Sequence, residues 1–154
     1  MEPHLFECRL AWTGAMRGPT TDYASYAREY RVDFAGKPSL IGSAAAAFRG
    51  DAALYNPEDL LMAALSSCHC LSYLALAARA KIAVVAYEDT ASGRMEHKEG
   101  ATRFVDVLLR PRVTLAPAAD VERAIALHAK AHAQCFIASS VNFPVRNEPI
   151  VIAS

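Results

Sequence analysis

Four cysteines, five histidines and a few loop arginines carry the chemistry open to this chain. Cys8 lies near the N-terminus, Cys68 and Cys70 flank His69, and Cys135 follows a histidine-bearing stretch. A free cysteine in a folded chain is most often a small buried hydrophobe, so what matters is which of them could act together. Cys68 and Cys70 cannot bridge each other on a helix, because two positions turn the side chains about 200° apart. The same divergence makes Cys-His-Cys at 68–70 a poor chelate. His128, His132 and Cys135 stand at i, i+4 and i+7, one helical face, with nitrogen and sulfur that suit zinc. Completing that site needs a further ligand, such as Cys68 or His69, from another helix. Redox chemistry instead asks for two thiols far apart in sequence and near in space. Cys68 and Cys135 are candidates, since both lie in helical segments that must pack on the same sheet face. A peroxide-reducing thiol further needs a cation that favours thiolate and a water-poor pocket. Mid-helix Cys68 gains little from the helix dipole, so an arginine must come from elsewhere. Arg17 in TGAMRGPT and Arg49 in AFRGD are the available ones, each beside a glycine.

The elements that must position these side chains are legible in outline. Asn56 is an N-cap, Pro57 fits the first helical position, and Glu58 and Asp59 suit the first turn. From Leu60 to Ala78 no residue is formally charged, and the helix ends near Arg79–Lys81. That stretch would reach across a bilayer, but Ser66, Ser67, His69 and Ser72 sit near its middle. A helix apolar nearly all round is otherwise buried on every side, which in so small a protein suggests a partner chain. Upstream, Leu5–Trp12 and Tyr30–Phe34 read as strands joined by the turn-rich stretch 13–21. Residues 36–56 read as a long irregular connection. Downstream, Val84–Met95 reads as a strand. Phe104–Leu115 is a stronger one, with Val105, Val107, Leu109, Val113 and Leu115 on one face at period two. Pro111 on that face argues for an edge or a bulge. A second helix over Ala118–Gln134 places Val121, Ala124, Ile125 and His128 on one side, and Val145–Ile152 is a closing strand. The class is α+β, with antiparallel sheets packed on a long central helix and a second helix.

Composition narrows the field further. The 154 residues suit a single domain over 1–154, and 53% apolar side chains exclude a disordered chain. Sixteen basic residues balance sixteen acidic ones, so no global field draws nucleic acid or an anionic membrane. The start, MEPHLFECRLAW, lacks the basic and apolar regions of a signal peptide, which points to the cytoplasm. Thiols there stay mostly reduced.

The segment NPEDLLMAALSSCHCLSYLALAA, with Glu58 ten residues before Cys68, resembles the OsmC/Ohr family of thiol-dependent hydroperoxide reductases. HAQCFIASSVNFPV carries Cys135 where that family has its second cysteine after a helix, and WTGAMRG is similar to the family's opening strand and turn. The FIxxSVNFPV ending suggests the OsmC-like branch. The resemblance implies an intertwined homodimer with Cys68 as peroxide-reacting thiolate and Cys135 as resolving thiol. Glu58 would orient an arginine, with Arg17 the nearest match and Arg49 its rival; Cys70 and Cys8 receive no role. It implies an organic hydroperoxide as substrate, with hydrogen peroxide as a further candidate. No metal, haem or flavin is implied, and the reductant would be an external dithiol, lipoylated protein or a small thiol. Glu58 and Cys68 lie about 15 Å apart along one straight helix. Two such helices packed antiparallel would bring Glu58 of one chain toward Cys68 of the other. Two other readings stand beside this one: a non-catalytic member of the fold that binds an apolar ligand, and a metal site at His128, His132 and Cys135.

Overall fold

A computed structural model describes residues 2–154. The chain forms two compact units, one running to Leu61 and one over Met62–Ser154.

The first unit holds a three-stranded antiparallel sheet of β1 (Arg9–Trp12), β2 (Tyr30–Asp33) and β3 (Leu40–Gly42). The first strand is shorter than its sequence suggests. β3 lies inside the stretch expected to be irregular, because its three residues are too few to show alternation. Within the turn-rich stretch Thr13–Arg17 forms a 3-10 turn. Its seat is tight: the Thr13 and Gly14 N–H groups both donate to the Glu29 carbonyl, at 3.0 and 2.9 Å. The Trp12 indole N–H donates to the Ala27 carbonyl at 2.7 Å.

Helix α1 (Pro57–Arg79) begins where the sequence places it. Asn56 Oδ1 accepts the Asp59 N–H at 2.8 Å and Asp59 Oδ2 accepts the Asn56 N–H at 3.2 Å, a reciprocal cap. At the other end Lys81 adopts a left-handed conformation (φ 58°) and the Ile82 N–H reaches back to the Ala77 carbonyl. The helix is long and apolar enough to cross a membrane by length and composition alone. Its buried residues form one stripe, Leu65, His69, Tyr73 and Ala77, four apart, and the first two polar atoms of that stripe belong to a histidine. Only 22% of its most apolar stretch is buried by its own chain.

The second unit carries two mixed sheets, ordered β4-β7-β9 and β5-β6-β8. Each of the long strands read from the sequence is broken in two, and its halves join different sheets. Val84–Met95 becomes β4 (Val84–Asp89) and β5 (Ser92–Lys98); Phe104–Leu115 becomes β6 (Ala101–Leu109) and β7 (Pro111–Leu115). The closing strand becomes β8 (Val145–Asn147) and β9 (Ile150–Ala153), each added parallel to its neighbour, so the sheets are not purely antiparallel. Pro111 heads β7, a strand in the middle of its sheet, where a first-position proline costs no ladder donor. The period-two burial survives the break: Val107, Leu109, Pro111, Val113 and Leu115 are all buried. Helix α2 (Val121–Ala133) is shorter than expected and capped by Asp120, which accepts the Arg123 N–H. It buries Ala124, Leu127, His128 and Ala131. Ile125, expected on that face, is 46% exposed. The core joins Tyr73 and Ala77 of α1, Ala124, Leu127 and Ala131 of α2, and Val113, Leu115 and Val151 of the sheet.

Candidate active site

Cys68 sits mid-way along α1 and is half-buried, on a helix tied down through Ser66. The Ser66 hydroxyl donates to Asp89 Oδ2 at 2.5 Å, and Asp89 Oδ1 accepts the Arg110 N–H at 2.7 Å. One carboxylate thus fastens the helix to the break between β6 and β7. Cys135 is buried just past the end of α2, where the chain tightens. Its N–H donates to the His132 carbonyl at 3.1 Å, and its carbonyl accepts both the N–H and the hydroxyl of Ser139 at 3.0 Å. Its sulfur accepts the Ala138 N–H at 3.5 Å.

The two thiols are close enough to act on each other. Cys135 is a neighbour of Cys68, and its thiol is pushed up to about 11, first by burial and then by that neighbour. Cys135 therefore stays protonated while Cys68 is reduced. The remaining cysteines are elsewhere: Cys8 is exposed, and Cys70 lies near Asp89 and Tyr87, its thiol pushed up by burial and then by the Asp89 charge. Near the two thiols a cleft of about 410 Å³ is lined by Leu71, Ser72, Ala75 and Arg79 of α1, with Ala133, Gln134, Phe136 and Ser139. Leu71 and Ser72 are one helical turn beyond Cys68, and Phe136 follows Cys135.

The charged candidates belong to the first unit. Arg17 is ion-paired to Glu29, a residue the sequence did not single out, and Glu29 is held below the usual carboxylate range first by that guanidinium. Glu58 is half-buried, and its Oε2 is buried with no hydrogen-bond partner among the described residues. Its charge is felt at Tyr30, which burial and Glu58 together push up. Arg49 is exposed, in a left-handed backbone conformation (φ 66°), and its charge reaches Asp22. Gly50 beside it is obligatory, because a Cβ there would lie 1.6 Å from the Ala44 carbonyl oxygen.

The histidines are arranged otherwise than a metal site requires. His69 Nε2 and His128 Nδ1 are hydrogen-bonded to each other at 3.0 Å, and both rings are buried. One nitrogen of each ring is spent on the other. Among the described residues no group of three or more His, Cys, Asp or Glu side chains is placed to hold a metal ion. Of the three residues at that spacing, His128 and Cys135 are buried and His132 is half-buried.

The family profile described as OsmC-like protein matches residues 50–148. This chain belongs to the OsmC-like family. A solved OsmC-like protein of unknown function from Vibrio cholerae is 30% identical to it, over 96% of this chain and 100% of that one, with a TM-score of 0.88. The fold of this OsmC-like protein also matches an organic hydroperoxide resistance protein OsmC from Legionella pneumophila (16% identity, full coverage of both chains, TM-score 0.69). An organic hydroperoxide resistance protein from Elizabethkingia anophelis shares it as well (19% identity, 99% of each chain, TM-score 0.68). No curated protein matches the sequence significantly.

Proposed function

We propose that this OsmC-like chain is a cytoplasmic, cysteine-based peroxidase that reduces organic hydroperoxides, working as a homodimer in defence against oxidative stress. The observation that carries the reading is the proximity of Cys68 and Cys135, brought from opposite halves of the sequence to the same α1–α2 seam. The organic hydroperoxide resistance proteins that share its fold support the substrate class.

In the proposed cycle the Cys68 thiolate attacks the outer oxygen of the hydroperoxide bound in the adjacent cleft. The O–O bond breaks, Cys68 becomes a sulfenic acid, and the alkoxide takes up a proton and leaves as the alcohol. Arg17, which is ion-paired to Glu29 in this chain, stabilises the thiolate and the departing oxyanion, with Glu58 as a second carboxylate to orient it and Arg49 as the alternative cation. The Cys135 sulfur then attacks the Cys68 sulfur; its proton joins the leaving hydroxyl as water, and a disulfide forms. An external dithiol, lipoylated protein or a small thiol, resets the pair by exchange. The cycle uses no metal or organic cofactor.

A second copy supplies what one chain lacks. Leu71 on α1 is 67% exposed and Phe136 is 80% exposed, so the apolar surface around the thiols is unfinished. The buried Glu58 oxygen also awaits a donor. Antiparallel packing of two α1 helices supplies the cover and brings Glu58 of one chain toward Cys68 of its partner.

The test is turnover of an organic hydroperoxide with a dithiol reductant. Wild type is expected to be active and Cys68→Ser inactive, with mild peroxide joining Cys68 to Cys135 in the wild type by mass spectrometry. Full turnover by Cys68→Ser refutes the proposal.

A further inference from the structure

The seam between α1 and α2 holds two pairs side by side. Cys68 lies near Cys135, and the next residue of α1, His69, is hydrogen-bonded to His128 at 3.0 Å. His69 is fully buried and His128 is 2% exposed. The two rings lie nearly parallel (13°), and Tyr73, one turn further along α1, stacks on His128 with centroids 4.0 Å apart. The outer nitrogens of the pair, His69 Nδ1 and His128 Nε2, are buried and have no partner among the described residues. Each imidazole therefore makes one hydrogen bond, and it makes it to the other.

The rest of the seam gives little direction. Tyr73 and Ala77 share a core with Ala124, Leu127 and Ala131 of α2, and apolar contact of this kind is favourable without specifying an angle. A hydrogen bond is different, because it weakens steeply once donor and acceptor are misaligned. Sliding one helix by a single residue moves its side chains by about 1.5 Å and turns them by about 100°. That slip would leave four buried imidazole nitrogens unpartnered instead of two. One buried polar contact in an apolar helix seam is a known way of fixing register.

We propose that His69 and His128 are positioning residues for disulfide formation: their hydrogen bond sets the register of α1 on α2 that holds the Cys68 and Cys135 sulfurs together. The inference rests on the peroxidase reading above and concerns one step of it. Disulfide geometry tolerates little error, since bridged Cα atoms lie about 4.4–6.8 Å apart. The first step, attack of Cys68 on the peroxide, needs no contact with α2. Loss of the pair should therefore slow the second step, in which Cys135 displaces hydroxyl from the sulfenic sulfur and water leaves, and spare the first.

The experiment uses the full-length protein and cumene hydroperoxide, following sulfenic acid with a dimedone trap and disulfide by intact mass. His128→Phe keeps a ring on Tyr73 but removes the hydrogen bond. His128→Asn restores a polar atom at the Nδ1 position. In His128→Phe, sulfenic acid is expected to form within about twofold of the wild-type rate while disulfide forms about tenfold more slowly. Sulfinic acid should then accumulate at excess peroxide, because the sulfenic state lives longer. His128→Asn should recover most of the disulfide rate. Should His128→Phe fail to fold, His69→Leu against His69→Gln puts the same question from α1. The proposal is overturned if the ring-only variant closes the disulfide as fast as wild type, if both steps fall together, or if the amide variant recovers nothing. A wild-type chain that forms no sulfenic acid at Cys68 refutes the peroxidase reading itself, and the positioning role with it.

Discussion

Acid should weaken this fold through His128 before its carboxylates begin to protonate. Burial, and next the neighbouring His69, pushes the His128 imidazole down to about 4 from its ordinary 6.5. His69 is lowered too, first by burial and then by His132, with Asp89 acting weakly the other way. The unfolded chain takes up a proton at His128 below about pH 6.5, and the folded chain refuses it until about pH 4. Stability from this group is therefore complete above pH 6.5 and is lost as the pH falls toward 4. The gap corresponds to about 3 kcal/mol over the whole window, of which about 2 kcal/mol is gone by about pH 5. Urea unfolding followed by helical circular dichroism, at fixed protein concentration and at about pH 7.5 and pH 5, measures it. His128→Asn cannot titrate, so its loss between the two conditions should be smaller than that of wild type by about 2 kcal/mol. Equal losses in the two proteins would show that the His128 imidazole takes up protons freely in the folded state, and the buried neutral pair would then be wrong.

Three further outcomes can be checked. Gly14→Ala places a Cβ 2.3 Å from the Ala27 carbonyl oxygen and 2.4 Å from the Trp12 indole nitrogen. It should cost about 1–3 kcal/mol by thermal melting and, by dislodging the turn that carries Arg17, lower peroxidase turnover. Leu71→Lys adds charge to the exposed face of α1 and should convert a dimer to a monomer in light scattering, with helical content retained. Asp120→Ala removes the cap on the Arg123 N–H at 2.9 Å and should cost about 1 kcal/mol in denaturant unfolding without altering the thiol pair.

The features legible in the sequence are those decided over a few residues. Asn56, Pro57, Glu58 and Asp59 announce the start of α1 because capping needs only neighbours three positions apart, and the reciprocal Asn56–Asp59 bonds are the result. The alternation through Val107, Leu109, Val113 and Leu115 likewise shows a buried face, since side-chain direction along a strand is a local property. Local pattern does not say which sheet a strand joins. Period two runs unbroken through Arg110 and Pro111, yet β6 pairs with β5 and β8 while β7 pairs with β4 and β9. Those partners are chosen by long-range packing, which leaves no mark on the alternation itself.

The thiols divide the same way. Cys68 and Cys135 stood out in the sequence by residue type, helical context and resemblance to a family, and the family is confirmed by the profile match over residues 50–148. Glu29 did not stand out, because an ordinary glutamate becomes the partner of Arg17 only when β2 and the Thr13–Arg17 turn are folded together. Nor did the sequence show that His69 and His128, 59 positions apart, would bond to each other rather than to an ion. Residue types and short spacings marked the long helix and the two candidate thiols, and the resemblance they carry pointed to the family. The register of α1 on α2, the partner of the arginine and the buried imidazole bond were decided only by the tertiary structure. Each depends on distances between elements, and those distances exist only once the chain has packed.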